Sequence, residues 1–178
     1  PMKRLLAPTT RKIAAAVALC WIILPLDATA LELQAPKPLP PITLLTMNGE
    51  ETGLDAHRGD VVVLNFWATW CAPCKREMPS LARLQDEFEG EALQVVALAV
   101  DRAGPEKIEQ FMSEAEASSL TVYRDPKMAS MKDFELRGLP TTLLVDRDGQ
   151  IVARHDGFAE WDTPEVISSV RTLLEGGS

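Results

Sequence analysis

Residues 61–68, Val-Val-Val-Leu-Asn-Phe-Trp-Ala, are apolar but for Asn65, and they run into Trp70-Cys71-Ala72-Pro73-Cys74 and a charged stretch with helical spacing. A strand without polar alternation is buried on both faces, which is the habit of parallel sheets covered by helices. The chain is thereby committed to strand, crossover helix and further strand, with two thiols three residues apart at the helix N-terminus. Unpaired N–H groups and the positive end of the helix dipole favour thiolate over thiol there. Cysteines in such motifs have pKa values between about 3.5 and 7.5, against about 8.5 for a free thiol. Cys71, at the mouth of the helix, is the expected attacking sulfur, and Cys74, a turn further in, the resolving one. Pro73 gives up an N–H that the first turn does not use.

The 178 residues include three cysteines, and Cys20 falls outside the expected domain, so the folded part holds this one pair. A Cys71 to Cys74 bond closes too small a loop to staple a fold. Zinc would need two further ligands, and His57 and His155 are solitary and far apart, so no metal site is expected. Three uses of the pair stay open: a dithiol that reduces other disulfides, a disulfide-donating oxidant, and a non-catalytic Cu(I)-binding module.

Residues 1–30 have a basic start with Lys3, Arg4, Arg11 and Lys12, an uncharged apolar stretch over 13–26, and Ala28-Thr29-Ala30. This is the pattern of a signal peptide or an N-terminal membrane anchor, and the rest of the chain is expected to be exported. Without that segment, 14 basic and 25 acidic residues leave a formal charge of −11, which argues solubility and excludes a nucleic-acid partner. Residues 31–41, with prolines at 36, 38, 40 and 41, read as a stiff Pro-rich linker. The domain is expected over 42–176. Asn48-Gly49 centres an N-terminal β-hairpin. Residues 93–100 form a second buried strand; helices follow over 105–117, 128–134 and 163–174, with a short strand at 121–123 and a hairpin over 141–154. The order predicts an α/β domain: a mixed central sheet with helices on both faces.

Three features coincide: Trp-Cys-Ala-Pro-Cys at a strand-to-helix junction, Pro79 five residues after the second cysteine, and Gly138-Leu139-Pro140-Thr141-Thr142 before the hairpin. On these residues the chain resembles the thioredoxin fold, over about residues 36–176. Within it, residues 65–79 resemble the exported TlpA, ResA and CcmG group, and Gly157-Phe158-Ala159-Glu160-Trp161 is most similar to TlpA.

The resemblance implies a thiol-disulfide oxidoreductase of the bacterial periplasm, secreted or anchored to the inner membrane, that works as a monomer. No separate cofactor is implied, because the Cys71 to Cys74 disulfide is the redox group. The implied partners are protein clients with CxxC disulfides, being a copper chaperone, an oxidase subunit or apocytochrome c, and an inner-membrane electron donor. Cys71 and Cys74 are the catalytic pair, with Trp70, Ala72, Pro73, Leu139 and Pro140 in support. Pro140 matches the family's cis-proline, which turns the Leu139 backbone towards the client. Trp70 is expected on the contact surface and Trp67 in the core. Thioredoxins of the cytosol carry a buried Asp where this chain has Asn65. An amide cannot take the Cys74 proton, so another carboxylate, such as Asp101 at the end of the next strand, or water must do so; an ordinary strand-end or helix-capping role is the equal alternative for Asp101. Lys75 and Arg76 are expected on a solvated helix face, while Glu77 is expected in a structural pairing with a neighbouring cation, with an approach to the site as its alternative.

Overall fold

The computed structural model describes residues 31–176; the leader reading of 1–30 lies outside the described residues. Eight strands form one sheet: β1 (Glu32–Pro38), β2 (Leu44–Leu45), β3 (Glu51–Thr52), β4 (Val61–Trp67), β5 (Leu93–Ala99), β6 (Thr121–Arg124), β7 (Thr141–Val145) and β8 (Gln150–Asp156), in the order β1-β8-β7-β4-β5-β6-β2-β3. The core is parallel across β4, β5 and β6, and β7 joins the other side of β4 antiparallel. Every residue of β4 is buried, as its unbroken apolar character requires of a central strand.

Four helices cover the sheet: α1 (Ala72–Glu87), α2 (Pro105–Glu114), α3 (Ala129–Asp133) and α4 (Pro164–Glu175). Odd-numbered residues of β4, including Val61, Val63 and Trp67, pack with Met78, Leu81, Leu84 and Phe88 of α1, Ile108 and Phe111 of α2, and Val170 of α4. Val62, Leu64 and Phe66 face the other way, against Phe134 and Leu136 at the end of α3 and Leu44 and Leu54 from the N-terminal part. The expected mixed sheet with helices on both faces and an N-terminal hairpin is therefore present, the hairpin pairing Leu44 with Thr52. The α1 helix runs through Pro79 without a break.

The stretch over 31–41 departs from its reading as a linker. Residues Glu32–Pro38 pair antiparallel with β8, matching Leu33 to Ala153 and Lys37 to Ile151, so the sheet begins ten residues before position 42. An edge strand bonds on one side only, and prolines are tolerated where an N–H would have faced solvent. The register shifts between Leu33 and Lys37, the interval that contains Pro36.

Candidate active site

The β4 strand delivers Trp67, Ala68, Thr69 and Trp70 to the mouth of α1. Cys71 is the N-cap residue, and its Sγ accepts a hydrogen bond from the Cys74 backbone N–H at 3.3 Å. Pro73 occupies the first helical turn, which starts at Ala72. The two cysteines are joined, with S–S 2.04 Å. Cys71 is 5% exposed and Cys74 fully buried, so a partner sulfur reaches Cys71 first. Trp70 stands 68% exposed beside it, while Trp67 is buried and stacked on Phe111 with ring centroids 4.4 Å apart. The Leu139 to Pro140 peptide bond is cis, as the resemblance implied, and leads directly into β7 beside β4.

Of its two readings, Asp101 takes the strand-end one rather than that of proton acceptor for Cys74. Its Oδ2 accepts from the Thr69 N–H at 2.7 Å and its Oδ1 from the Ala103 N–H at 2.8 Å. Both oxygens thus hold backbone, and Asp101 fastens the loop that carries Trp70 and Cys71. Replacing Asp101 with Ala strands both donors and is expected to lower the free energy of unfolding by about 2 kcal/mol, read from urea denaturation.

Glu77 takes the second of its two readings: it is a buried acid at the site, held by an amide and a backbone N–H rather than by a cation. It is fully buried, three residues past Cys74 and therefore on the same helix face. Its Oε1 accepts from Asn65 Nδ2 at 2.6 Å and its Oε2 from the Ala159 N–H at 3.2 Å. Asn65 gives its other amide hydrogen to Thr142 Oγ1 at 2.8 Å, and its Oδ1 has no partner. Burial pushes the Glu77 carboxyl up to about 7; the Asn65 amide, the Ala159 N–H and the Trp161 indole pull it down by less, and Glu160 adds to the rise. The Trp161 Nε1–H lies outside full hydrogen-bond geometry, so the Asn65 amide and the Ala159 N–H are the donors that hold this carboxyl. Strand position 65 holds an amide, and the acid comes from the facing helix instead. A carboxyl that is half protonated near neutral pH is suited to take and return one proton.

The turn after β8 completes this side of the site. Besides the Ala159 contact, the Trp161 N–H donates to Ser80 Oγ at 3.0 Å, and Ser80 in turn donates to the Glu77 carbonyl at 2.7 Å. Lys75 and Arg76 are exposed on the helix face, as expected, and each has a contact there. Lys75 pairs with Glu114 at 2.6 Å, and the Arg76 guanidinium lies 4.7 Å from the centroid of the Phe158 ring.

Residues 35–154 match the sequence pattern of the AhpC/TSA family. The thioredoxin-like protein YneN of Bacillus subtilis is 36% identical over 128 residues, covering 70% of this chain and 73% of YneN. The thiol-disulfide oxidoreductase ResA of Halalkalibacterium halodurans is 32% identical over 111 residues, and the match spans 62% of each protein. A solved Chlorobium tepidum structure, named for the thiol:disulfide interchange protein DsbE, aligns with TM-score 0.70 and 29% identity over 80% of this chain and 99% of its own. The thioredoxin-fold expectation agrees with this likeness and with the sheet order above.

Proposed function

The chain belongs to the AhpC/TSA family, and we propose that within it this protein is a thiol-disulfide oxidoreductase that reduces disulfides of exported client proteins. The observation that carries the reading is the Cys71 to Cys74 pair on a helix N-terminus, with Cys71 alone reaching the surface, backed by a buried carboxyl one turn behind Cys74. Relatives named thiol-disulfide oxidoreductase and thiol:disulfide interchange protein support the same chemistry.

In the reduced protein the Cys71 thiolate attacks a client disulfide, forming a mixed disulfide and releasing one client sulfur as a thiolate, which takes up a proton. Glu77 accepts the proton of Cys74. The Cys74 sulfur then attacks Cys71, the mixed disulfide breaks, and the second client thiolate takes a proton. The client gains two electrons and two protons, and the protein is left in the disulfide state seen here. A membrane-held dithiol donor must restore the reduced form, because an exported domain works in an oxidising compartment.

The leader over 1–30 supports a periplasmic place, soluble or anchored; among the described residues no helix is long and apolar enough to cross a membrane. The clients best supported are the CxxC of a copper chaperone or oxidase subunit, on the likeness of residues 157–161 to TlpA, with the haem-attachment CxxCH of apocytochrome c as the other choice. The reduction potential tests the direction of flow: a value of about −200 to −270 mV is expected, and one near about −120 mV would make the protein an oxidant. A Cys74→Ser protein expressed with its leader is expected to trap copper-site proteins; recovery of apocytochromes alone overturns that client class.

A further inference from the structure

Among the described residues the large apolar side chains most open to solvent are Leu33, Trp70 and Phe158, and the last two flank the first turns of α1. Phe158 does not hang on a loose loop. The backbone on its C-terminal side is fixed to α1 through Ala159 to Glu77 and Trp161 to Ser80, and Arg83 clamps Asp162 at 2.6 Å and Glu160 at 3.9 Å. Arg76 lies over the Phe158 ring. A guanidinium stacked on a ring keeps its in-plane N–H donors free, and the stacking has already restricted a flexible side chain.

The α1 helix has three basic residues, of which Lys75 and Arg83 hold carboxylates. Among the described residues Arg76 forms no ion pair, although the domain carries an excess of acidic side chains. The same holds for Arg102, next to the anchoring Asp101, and for Arg137, three residues before Pro140, both exposed. On residues 69–76, 101–104, 137–140 and 156–161 the acids are either buried or paired: Asp101 holds backbone, Asp156 meets Arg154, and Glu160 meets Arg83. Arg83 is shared between Glu160 and Asp162, so one carboxylate charge is left over there, against three guanidiniums, Arg76, Arg102 and Arg137, that hold no carboxylate. At about 0.1 M salt the net charge is screened beyond roughly 10 Å, so the nearby guanidinium dominates at contact.

We propose that Arg76, stacked on Phe158, binds an acidic side chain beside the client's disulfide, so that the protein selects disulfides in acidic segments over basic ones. This rests on the reductase reading above. The bidentate geometry of a guanidinium with a carboxylate supplies the preference, and Phe158 and Trp70 supply apolar contact for the residues around it.

The test uses the reduced protein and three synthetic disulfide peptides of equal length, carrying two Glu, two Gln or two Lys beside the disulfide. The expected order of the second-order rate constants for single-turnover reduction is Glu, then Gln, then Lys, with about a five- to ten-fold span that contracts with added salt. Arg76→Glu is expected to invert the order, and Phe158→Ala to narrow it while the charge remains. Arg76→Gln gives a second reading should the charge-reversed protein not fold. Equal turnover of the three peptides by the unsubstituted protein, or a span that neither Arg76 variant alters, overturns the assignment. Failure of the unsubstituted protein to reduce even the Gln peptide would instead overturn the reductase reading on which it stands.

Discussion

Replacing Cys71 with Ser is expected to lower the rate of disulfide reduction by at least about 10³-fold, because a hydroxyl is not ionised at neutral pH and cannot attack sulfur. The structural cost of this change is small. Position 71 is an N-cap, where Ser is among the favoured residues, and a Ser Oγ can take over the hydrogen bond that Cys71 Sγ accepts from the Cys74 N–H. Thermal unfolding of the variant should therefore match that of the reduced parent, while release of thiols from a disulfide peptide vanishes. Retention of more than a tenth of the activity would move the nucleophile away from Cys71. Cys74→Ser should behave oppositely, attacking normally and then stalling as a mixed disulfide, because Cys74 is fully buried and acts only within the molecule.

Glu77→Gln carries the second large effect. If the carboxyl takes the Cys74 proton, its loss is expected to slow resolution of the mixed disulfide by about 10²-fold at pH 7. The resolution rate of the parent should rise through about pH 7, the value to which burial raises Glu77, and the variant should lack that limb. Stopped-flow kinetics of client release between pH 5 and 9 measure both; superimposable profiles would remove Glu77 from the proton path. Stability should show the same group with a definite sign. The folded protein holds the Glu77 proton more tightly than the unfolded chain does, so stability falls as pH rises from about 4.5 through about 7 and levels off above. At about 1.4 kcal/mol per unit the loss is at most about 3 kcal/mol. Urea midpoints of the oxidised protein at pH 5 and pH 8 read it. Gln at 77 removes the dependence, at the cost of turning an amide NH2 towards one of the two donors that Glu77 now accepts.

Particular residues show where sequence reasoning reached and where it stopped. The β4 strand and the start of α1 follow from a run that tolerates no exposed face, and a helix with Pro73 in its first turn after an N-capping cysteine leaves little choice of boundary. The edge strand β1 was hidden because an extended proline segment and an edge strand share backbone geometry; only the partner β8 distinguishes them. For Glu77 the residue type leaves both readings open and favours the wrong one, pairing with a cation. Cys74, Glu77, Met78 and Leu81 nevertheless fall at the i, i+3, i+4, i+7 spacing of a buried helix face, and that spacing is a signal for an acid held inside. Asp101 lies at a strand end, where a carboxylate can either meet a thiol or hold backbone N–H groups, and the Thr69 and Ala103 donors decided for backbone.

Sequence alone determined the redox pair, its helix terminus and the mixed sheet that carries it, since each depends on neighbours along the chain or on a pattern of residue types; the cis-proline position was implied by the resemblance to the thioredoxin fold. The tertiary structure decided which acid stands behind Cys74 and which charges remain unpaired at the mouth. Both depend on what packs across a gap from residues far apart in sequence: Asn65 and Ala159 on Glu77, and Phe158 beneath Arg76. A carboxyl's affinity for protons follows its burial, and a guanidinium's availability follows its partners; neither is a property of the residue by itself.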